Sequence, residues 1–171
     1  MAVLPTRKLD KRITRVWRVS AALNIFVWMS CALLALGLAV AGLDDEGVGS
    51  QSAKAVAMAA AVGVAVLTAL LVVVFVGFVP AIRWLQWSFE VHDEEIDICK
   101  GIFWRKHLVI PLVRVQNVDT RQGPILRANG LASFTVATAA GEHAIPGLEV
   151  NEADALRDQV ALLARLAQED V

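Results

Sequence analysis

Charged residues are absent from two long stretches of the sequence. Residues 20–41 and 55–79 contain no Asp, Glu, Lys, Arg or His. An α-helix rises about 1.5 Å per residue, so about 20 apolar residues cross the roughly 30 Å hydrocarbon core of a bilayer. A charged side chain at the centre of such a helix costs about 2.5–3.5 kcal/mol. The absence therefore predicts two transmembrane helices, at about residues 20–42 and 55–79.

Polar groups of any kind are scarce inside these two runs. Beyond Ser20 at the start of the first run, only Asn24, Ser30 and Thr68 are clearly polar, and Asn24 lies near one end of its run. Channels and transporters place ionisable groups inside the membrane, where such groups are usually functional. Their absence argues against a conduction pathway and favours a membrane anchor.

Motifs of catalysis and metal binding are also missing. The sequence has no G-x-S-x-G, no H-E-x-x-H and no Walker A motif. His92, His107 and His143 are scattered without metal-ligand spacing, and we expect surface or structural roles for them. The adjacent Glu94 and Glu95 would point in different directions from a turn. We therefore expect no catalytic residue, no metal, no cofactor and a non-enzymatic function.

Cysteines number only two, Cys31 in the first apolar run and Cys99 in a later strand-like segment. They do not form a C-x-x-C pair, and their predicted environments differ. A disulfide framework is therefore not expected, which agrees with a soluble part on the reducing side of the membrane.

The composition of the whole chain is too apolar for an ordinary soluble domain. It has 171 residues, 57% of them hydrophobic, and a mean hydropathy of +0.57, with the excess before residue 80. We divide it into a basic arm at 1–19, a transmembrane hairpin at 20–82 and a small domain at 83–171. The formal net charge of −1 gives no indication of nucleic-acid binding.

Basic residues flank the outer ends of both apolar runs. The arm has six of them, namely Arg7, Lys8, Lys11, Arg12, Arg15 and Arg18. The insert between the runs has Asp44, Asp45 and Glu46 against Lys54. The positive-inside rule then places both termini in the cytoplasm.

A cleaved signal peptide is the main alternative to the hairpin, with a cleavage site after Ala39-Val40-Ala41 and a mature N-terminus at Gly42. The first run is longer than the 7–15 residues of a signal core, and a second run follows, so the hairpin is favoured.

Small residues recur at four-residue spacing in both runs. Ala35 and Ala39 form one pair, and Ala59 and Gly63 form another. Such pairs let helices approach closely. They are expected either to close the hairpin on itself or to form an oligomer face. Pro80 is expected to end or bend the second helix.

Alternation of apolar and polar residues begins at Leu85 and predicts short strands. Turn signals at 92–95, 100–101, 122–124, 129–130, 140–141 and 146–147 separate six of them. The predicted strands lie at about 85–91, 96–98, 103–110, 113–118, 131–137 and 142–145. A final amphipathic helix begins at Asn151, a plausible N-cap, with an apolar stripe at Ala153, Leu156, Val160, Leu163 and Ala167.

Short antiparallel strands followed by one amphipathic helix are the element order of a pleckstrin-homology-like domain. The chain resembles the bacterial pleckstrin-homology-like membrane proteins, in particular the YdbS-like subgroup with two membrane helices before the domain. The matching segments are 101–105, 110–119, Gln122-Gly123-Pro124 with Arg127 and Gly130-Leu131, 139–141, and 145–148.

The resemblance implies a multi-pass protein of the bacterial inner (plasma) membrane and a fold rather than a reaction. The predicted fold class is an α+β membrane protein. A two-helix transmembrane hairpin precedes a pleckstrin-homology-like antiparallel β-sheet or barrel, which a C-terminal amphipathic helix caps.

The most distinctive polar stretch of the predicted domain extends from Arg114 to Arg127. Its candidate binding residues are Arg114, Gln116, Asn117, Arg121, Gln122 and Arg127. They form either a polar ledge for an anionic lipid headgroup or a partner protein, or a loop held by its own hydrogen bonds. Guanidinium groups suit phosphate because they donate two hydrogen bonds in parallel. Arg121 is the better exposed candidate, and Arg127 could be internal.

The sequence leaves several functions open. The first is a membrane-anchored interaction module whose domain binds a partner membrane protein, such as a tandem pleckstrin-homology-like protein, or a second copy of itself. The second is a sensor of anionic lipid headgroups. The third is an accessory subunit of a transport, envelope-stress or antimicrobial-resistance system. Membrane lipids are expected partners, and nucleic acid is not.

Overall fold

The structure is a computed structural model that describes residues 5–45 and 51–169. Its residues form two compact units. The first consists of residues 17–79 and the second of residues 5–16 together with residues 80–169. The predicted linker at 47–50 lies outside the described residues.

The first unit contains most of the apolar sequence. Helix α1 spans Ile13–Asp45, helix α2 spans Gln51–Val72, and a π-helical segment spans Val73–Phe78. Two helical segments, Ile13–Ala39 and Ala55–Gln86, are long and apolar enough to cross a membrane. Large side chains such as Trp28 and Leu38 are exposed along them. Apolar side chains that face outward in this way are favourable in contact with lipid and unfavourable in contact with water.

The polar side chains of these helices bond to their own backbone. Asn24 Nδ2 donates to the Ser20 carbonyl at 2.9 Å, and Ser30 Oγ donates to the Phe26 carbonyl at 2.8 Å. Thr68 repeats the pattern with the carbonyl four residues earlier, also at 2.8 Å. These hydrogen bonds lower the free-energy cost of placing the three polar side chains in hydrocarbon. They require no partner outside the helix.

The small residues do not close the two helices on each other. Ala35, Ala39, Ala59 and Gly63 are all exposed, and a Cβ added to Gly63 would meet no atom within 4 Å. The two helices instead border an apolar cleft of about 350 Å³ whose lining includes side chains from both. The prediction that these residues close the hairpin on itself is wrong. Their role in an oligomer face stays a prediction.

The second unit contains two antiparallel sheets of three strands each. The first sheet has the order β1-β2-β3, with β1 at Ser88–Val91, β2 at Glu95–Lys100 and β3 at Lys106–Pro111. The second has the order β4-β5-β6, with β4 at Val115–Arg121, β5 at Leu131–Thr138 and β6 at Gly141–Glu149. The remaining helices are α3 at Val79–Gln86, α4 at Pro124–Ala128 and α5 at Val150–Glu169.

The core of this unit is built from the inward residues of the strands and one face of α5. The buried strand residues include Phe89, Ile96, Ile98, Ile110, Phe134, Val136, Ile145 and Leu148. Helix α5 buries Ala153, Leu156, Val160 and Ala164, spaced so that they share one face. The six strands and the capping helix confirm the predicted α+β fold with a pleckstrin-homology-like domain.

Several element boundaries differ from the sequence prediction. Pro80 does not end the second helical run. It directly follows the π-helical segment, where Val79 N–H donates to the Val74 carbonyl, so the i→i−4 pattern is already interrupted where the proline lacks its N–H. The helix therefore continues to Gln86, and β1 begins at Ser88. Strand β3 begins at Lys106 because Gly101, with φ +127°, starts a loop. Helix α5 begins at Val150, one residue before the proposed cap.

The basic N-terminal arm packs against the sheets. Leu9, Ile13 and Val16 are buried, with 2%, 1% and 7% of their surface exposed. Phe89 N donates to the Arg7 carbonyl at 3.0 Å, and Asp10 N donates to the Gly147 carbonyl at 3.0 Å. The arm therefore contributes to the core of the domain, although its composition indicated only an orienting charge.

Side chains of the arm reinforce this contact. Arg7 forms an ion pair with Glu152 at 2.6 Å, and its guanidinium carbon lies 5.4 Å from the centre of the Phe89 ring. Trp84 Nε1 donates to the Leu9 carbonyl at 2.7 Å. The arm is thus fixed to α3, β1 and the first turn of α5.

Candidate functional site

The passage from the first sheet to the second is a single 3-10 turn at Leu112–Arg114. Leu112 is fully buried and anchors the turn. Its neighbours Val113 and Arg114 are exposed. The turn thus displays one apolar and one cationic side chain beside the edges of two strands.

A groove of about 660 Å³ opens at this turn, and we call it the β3–β4 groove. Its walls are the end of β3, the start of β4, the β5–β6 turn and the last turn of α5. Its lining residues are Leu108, Val109, Ile110, Pro111, Val113, Arg114, Val115, Gln116, Thr138, Ala139, Ala140, His143 and Gln168. The groove is mainly apolar, with Arg114 and His143 as its titratable side chains.

Strand edges border this groove on two sides. β3 and β4 are both outermost in their sheets, and no strand of the described residues pairs with their outer edges. Val109 and Val113 are 43% and 42% exposed beside these edges. Unpaired backbone N–H and C=O groups at a strand edge can accept another strand.

A second, smaller hollow of about 390 Å³ lies between β4 and α5 and shares Val115, Gln116 and Gln168 with the groove. Arg157 and Arg165 line it. Arg157 already pairs with Asp158 at 2.8 Å and with Asp154 at 3.1 Å. Hydrogen bonding to Asp158 raises the pKa of Arg157. Its charge is therefore largely matched by its own helix.

Three of the six predicted site residues come together at the groove and the hollow. Arg114 and Gln116 line the groove, and Gln116 and Asn117 line the hollow. All three side chains are exposed. Among the described residues, none of the three makes a side-chain hydrogen bond or ion pair, so they are available to a ligand.

Arg121 lies at the other end of β4 and is already paired. Its guanidinium donates twice to Glu142, at 2.9 Å for each bond, and to Asp119 at 3.1 Å. Hydrogen bonding to Glu142 raises the pKa of Arg121 and lowers the pKa of Glu142. A phosphate would have to compete with two carboxylates for this guanidinium.

The last two predicted residues do not join the groove. Gln122 Nε2 donates to the Leu131 carbonyl at 3.0 Å and so holds the loop before α4. Arg127 lies in α4, where its side chain is exposed and has no polar partner among the described residues. The six residues of the predicted ledge therefore do not form one surface. Their role in binding a ligand stays a prediction.

The histidines and cysteines occupy separate environments. His143 lines the groove, whereas His107 Nε2 lies 3.5 Å from the buried Asp97 carboxylate. Cys31 is exposed on α1 and Cys99 is buried in β2, and both are free. In the part of the chain that the structure describes, no cluster of three His, Cys, Asp or Glu could hold a metal. The expected lack of catalysis stays a prediction.

The apolar lining of the groove was missed from sequence. Val109 carried a usable signal of exposure. It lies two residues after the polar His107 in the same strand, so the two side chains share the outward face. His143 and Gln168 carried no such signal, since the fold brings them in from the β5–β6 hairpin and α5.

Comparisons with known proteins agree with this architecture. The family model described as Bacterial PH domain matches residues 31–164. UPF0699 transmembrane protein YdbS of Bacillus subtilis (strain 168) is 48% identical over 99 residues, which cover 58% of this chain and 62% of YdbS. UPF0699 transmembrane protein YdbT of the same strain is 28% identical over 94 residues, covering 52% of this chain and 19% of YdbT.

The chain thus spans less than two thirds of the length of either relative. No solved structure matches it significantly. The family match covers more than half of the chain and includes both sheets and most of α5. Together with the two long apolar helices and the transmembrane relatives, it identifies the chain as a membrane-associated member of the bacterial PH-domain family, of the YdbS-like type.

Proposed function

We propose that this protein is a membrane-anchored, non-enzymatic interaction module of the bacterial plasma membrane. Its pleckstrin-homology-like domain binds a segment of a partner membrane protein in the β3–β4 groove and so forms part of a membrane complex. The observation that carries the proposal is an open, mainly apolar groove bordered by the outer edges of β3 and β4. Among the described residues no strand pairs with these edges, although the Val115 carbonyl accepts from Gln168 Nε2 at 3.1 Å, and Arg114 makes no ion pair.

The groove favours an extended peptide as its ligand. A peptide that adds to a strand edge gains backbone hydrogen bonds, and alternate side chains enter neighbouring pockets. The exposed Val109 and Val113 offer apolar contact for those side chains. Arg114 offers a charge-assisted hydrogen bond to a carboxylate. The preferred segment is therefore extended and apolar, with one acidic residue.

The charge distribution supports a cytoplasmic domain. Basic residues precede the first apolar run, whereas the insert between the runs carries Asp44, Asp45 and Glu46. The positive-inside rule then puts both termini, and the groove with them, in the cytoplasm. A partner segment would accordingly be a cytoplasmic part of a neighbouring membrane protein.

Site-specific photo-crosslinking in cells tests this proposal. A photoreactive amino acid at Val109 or Val113 should give discrete adducts with a partner membrane protein, and Arg114→Glu should reduce their yield several-fold. The matched control carries the same group at Ala128, which is exposed on α4 away from the groove. Equal adduct patterns at Ala128 and Val109 would refute the groove as the binding surface.

A headgroup sensor based on Arg121 receives less support from the geometry. Its guanidinium is held by Glu142 and Asp119, which repel an incoming phosphate. We expect the full chain with Arg121→Ala to bind anionic lipid headgroups as strongly as the wild type does. Arg114 is the better remaining cation for such a ligand, because it makes no ion pair within the described residues.

A further inference from the structure

The β2–β3 loop, residues 101–105, exposes two large aromatic side chains. Phe103 is 89% exposed and Trp104 is 81% exposed, the highest values of any large apolar residue described in the protein. An aromatic side chain can bury about 150–250 Å² of surface. Two adjacent aromatics left in water indicate a contact site.

The local backbone fixes this display. Gly101 has φ +127°, and a Cβ there would overlap the backbone of Trp104. Only glycine therefore permits the loop to fold back so tightly. In the amide orientation that the neighbouring carbonyls require, Gln86 Nε2 donates to the Ile102 carbonyl at 3.0 Å and also to that of Gly101. The aromatic tip is thus attached to the last residue of α3.

This attachment places the tip at the end of the first sheet where α3 leads into β1. Ser88, the first residue of β1, pairs with Cys99, the residue before Lys100 and the loop. The β1–β2 turn at 92–94 lies at the opposite end of the same strands, roughly 13 Å away at about 3.3 Å per residue.

Positive charge surrounds the two aromatics. Lys100, Arg105 and Lys106 flank them, and no acidic residue occurs from 98 to 118. Among the described residues, Arg105 and Lys106 form no ion pair. Aromatic rings at headgroup depth and basic residues facing anionic lipid are the two features that mark an interfacial contact.

We propose that the Phe103–Trp104 tip inserts into the headgroup–acyl boundary of an anionic phospholipid membrane. Lys100, Arg105 and Lys106 bind the lipid phosphates around it. The tip presents two almost fully exposed rings among basic side chains, so a fluid anionic lipid surface fits it better than a folded protein. Because the chain's own helices hold the domain near a bilayer, a weak tip contact gains a high effective concentration. The contact is independent of the β3–β4 groove.

Spin-label accessibility in nanodiscs tests this inference on the full chain. In a Cys31→Ser, Cys99→Ala background, a nitroxide is attached to Phe103→Cys, and the matched control carries it at Asp93→Cys in the β1–β2 turn. In anionic nanodiscs the label at 103 should collide several-fold more with oxygen, relative to a water-soluble nickel chelate, than the label at 93. Replacing Lys100, Arg105 and Lys106 by Gln should reduce that preference.

A label at 103 as accessible to the nickel chelate as the label at 93 would overturn the proposal, and that outcome would leave a protein partner as the occupant of the tip. Both labelled positions are exposed. The Phe103→Cys result can be repeated at Trp104→Cys, because the Trp104 side chain is also almost fully exposed. Photo-crosslinking at Val109 reports on the groove separately, so failure of either proposal is distinguishable.

Discussion

At the scale of single residues, glycine and arginine positions have the clearest physical roles. Gly147 adopts φ +72° in β6, and a Cβ there would lie 2.6 Å from Ile13 Cβ. The turn composition Pro146-Gly147 predicted the end of a strand. Its actual role is to let the N-terminal arm approach β6, and this role depends on a residue more than 130 positions away in the sequence.

Gly147→Ala should destabilise the domain, because a left-handed conformation in a residue with a Cβ costs about 1–3 kcal/mol and Ile13 must also move. A loss of 1 kcal/mol lowers the thermal midpoint of a domain of this size by about 4–8 °C. Thermal unfolding in detergent measures the change. Gly123→Ala is the control, since Gly123 has φ −79° and open space around it. Equal midpoints for both variants would contradict the assigned contact.

The ion pair of Arg121 and Glu142 gives a pH prediction. The pKa of Glu142 is lowered, chiefly by its hydrogen bonds from Arg121, from an ordinary value near 4.5. This carboxylate therefore stabilises the folded state above that ordinary value, and the contribution is lost as the pH falls through the lowered pKa. The stability difference between the wild type and Glu142→Gln should be small but constant near neutrality and should vanish in acid.

Unfolding midpoints measured across the acid range give this comparison. Glu149→Gln provides the control, because Glu149 lies in the same strand and forms no ion pair among the described residues. The Arg121–Glu142 pairing would be refuted if Glu142→Gln and Glu149→Gln showed the same dependence on pH.

At the scale of secondary-structure elements, the role of the basic arm differs most from the sequence prediction. Its charges predicted orientation in the membrane, which needs no contact with the domain. The structure adds a buried apolar stripe of Leu9, Ile13 and Val16. These three residues recur at spacings of four and three, which is the helical period, but a basic segment of this kind gave no indication of what would cover them.

Val16→Ala should destabilise the domain by about 1.5–3 kcal/mol, because it removes two buried methyl groups and leaves a cavity. Val19→Ala is the matched control on the same helix, since Val19 is 45% exposed. Thermal unfolding of the full chain in detergent, followed by circular dichroism, measures both variants. A lower midpoint for Val19→Ala than for Val16→Ala would contradict the packing of the arm.

At the scale of the whole molecule, the predicted topology can be tested by chemical labelling. In a background without Cys31 and Cys99, the positive-inside rule predicts that Ser50→Cys reacts with a membrane-impermeant thiol reagent added from outside the plasma membrane. Ala128→Cys, exposed on α4, should react only after the membrane is opened. Labelling of Ala128→Cys from outside would reverse the assigned orientation and would remove the groove from the cytoplasm.

The sequence alone determined the two apolar helices, the number of strands and the terminal helix of this protein. Each of these depends on local periodicity or on a long uncharged run, and such signals are complete within the segment that carries them. The family resemblance followed from turn residues and short motifs that are equally local.

Only the tertiary structure decided which polar residues remain available to a ligand. Arg114 and Arg121 have the same side chain in the same stretch of sequence, yet one faces an open groove and the other holds Glu142. Likewise, the exposure of Phe103 and Trp104 depends on a loop in a segment whose pattern predicted a strand. Partners such as Glu142, Gly147 and Gln86 come from elements distant in sequence, and that pairing is fixed by strand register and packing rather than by any local pattern.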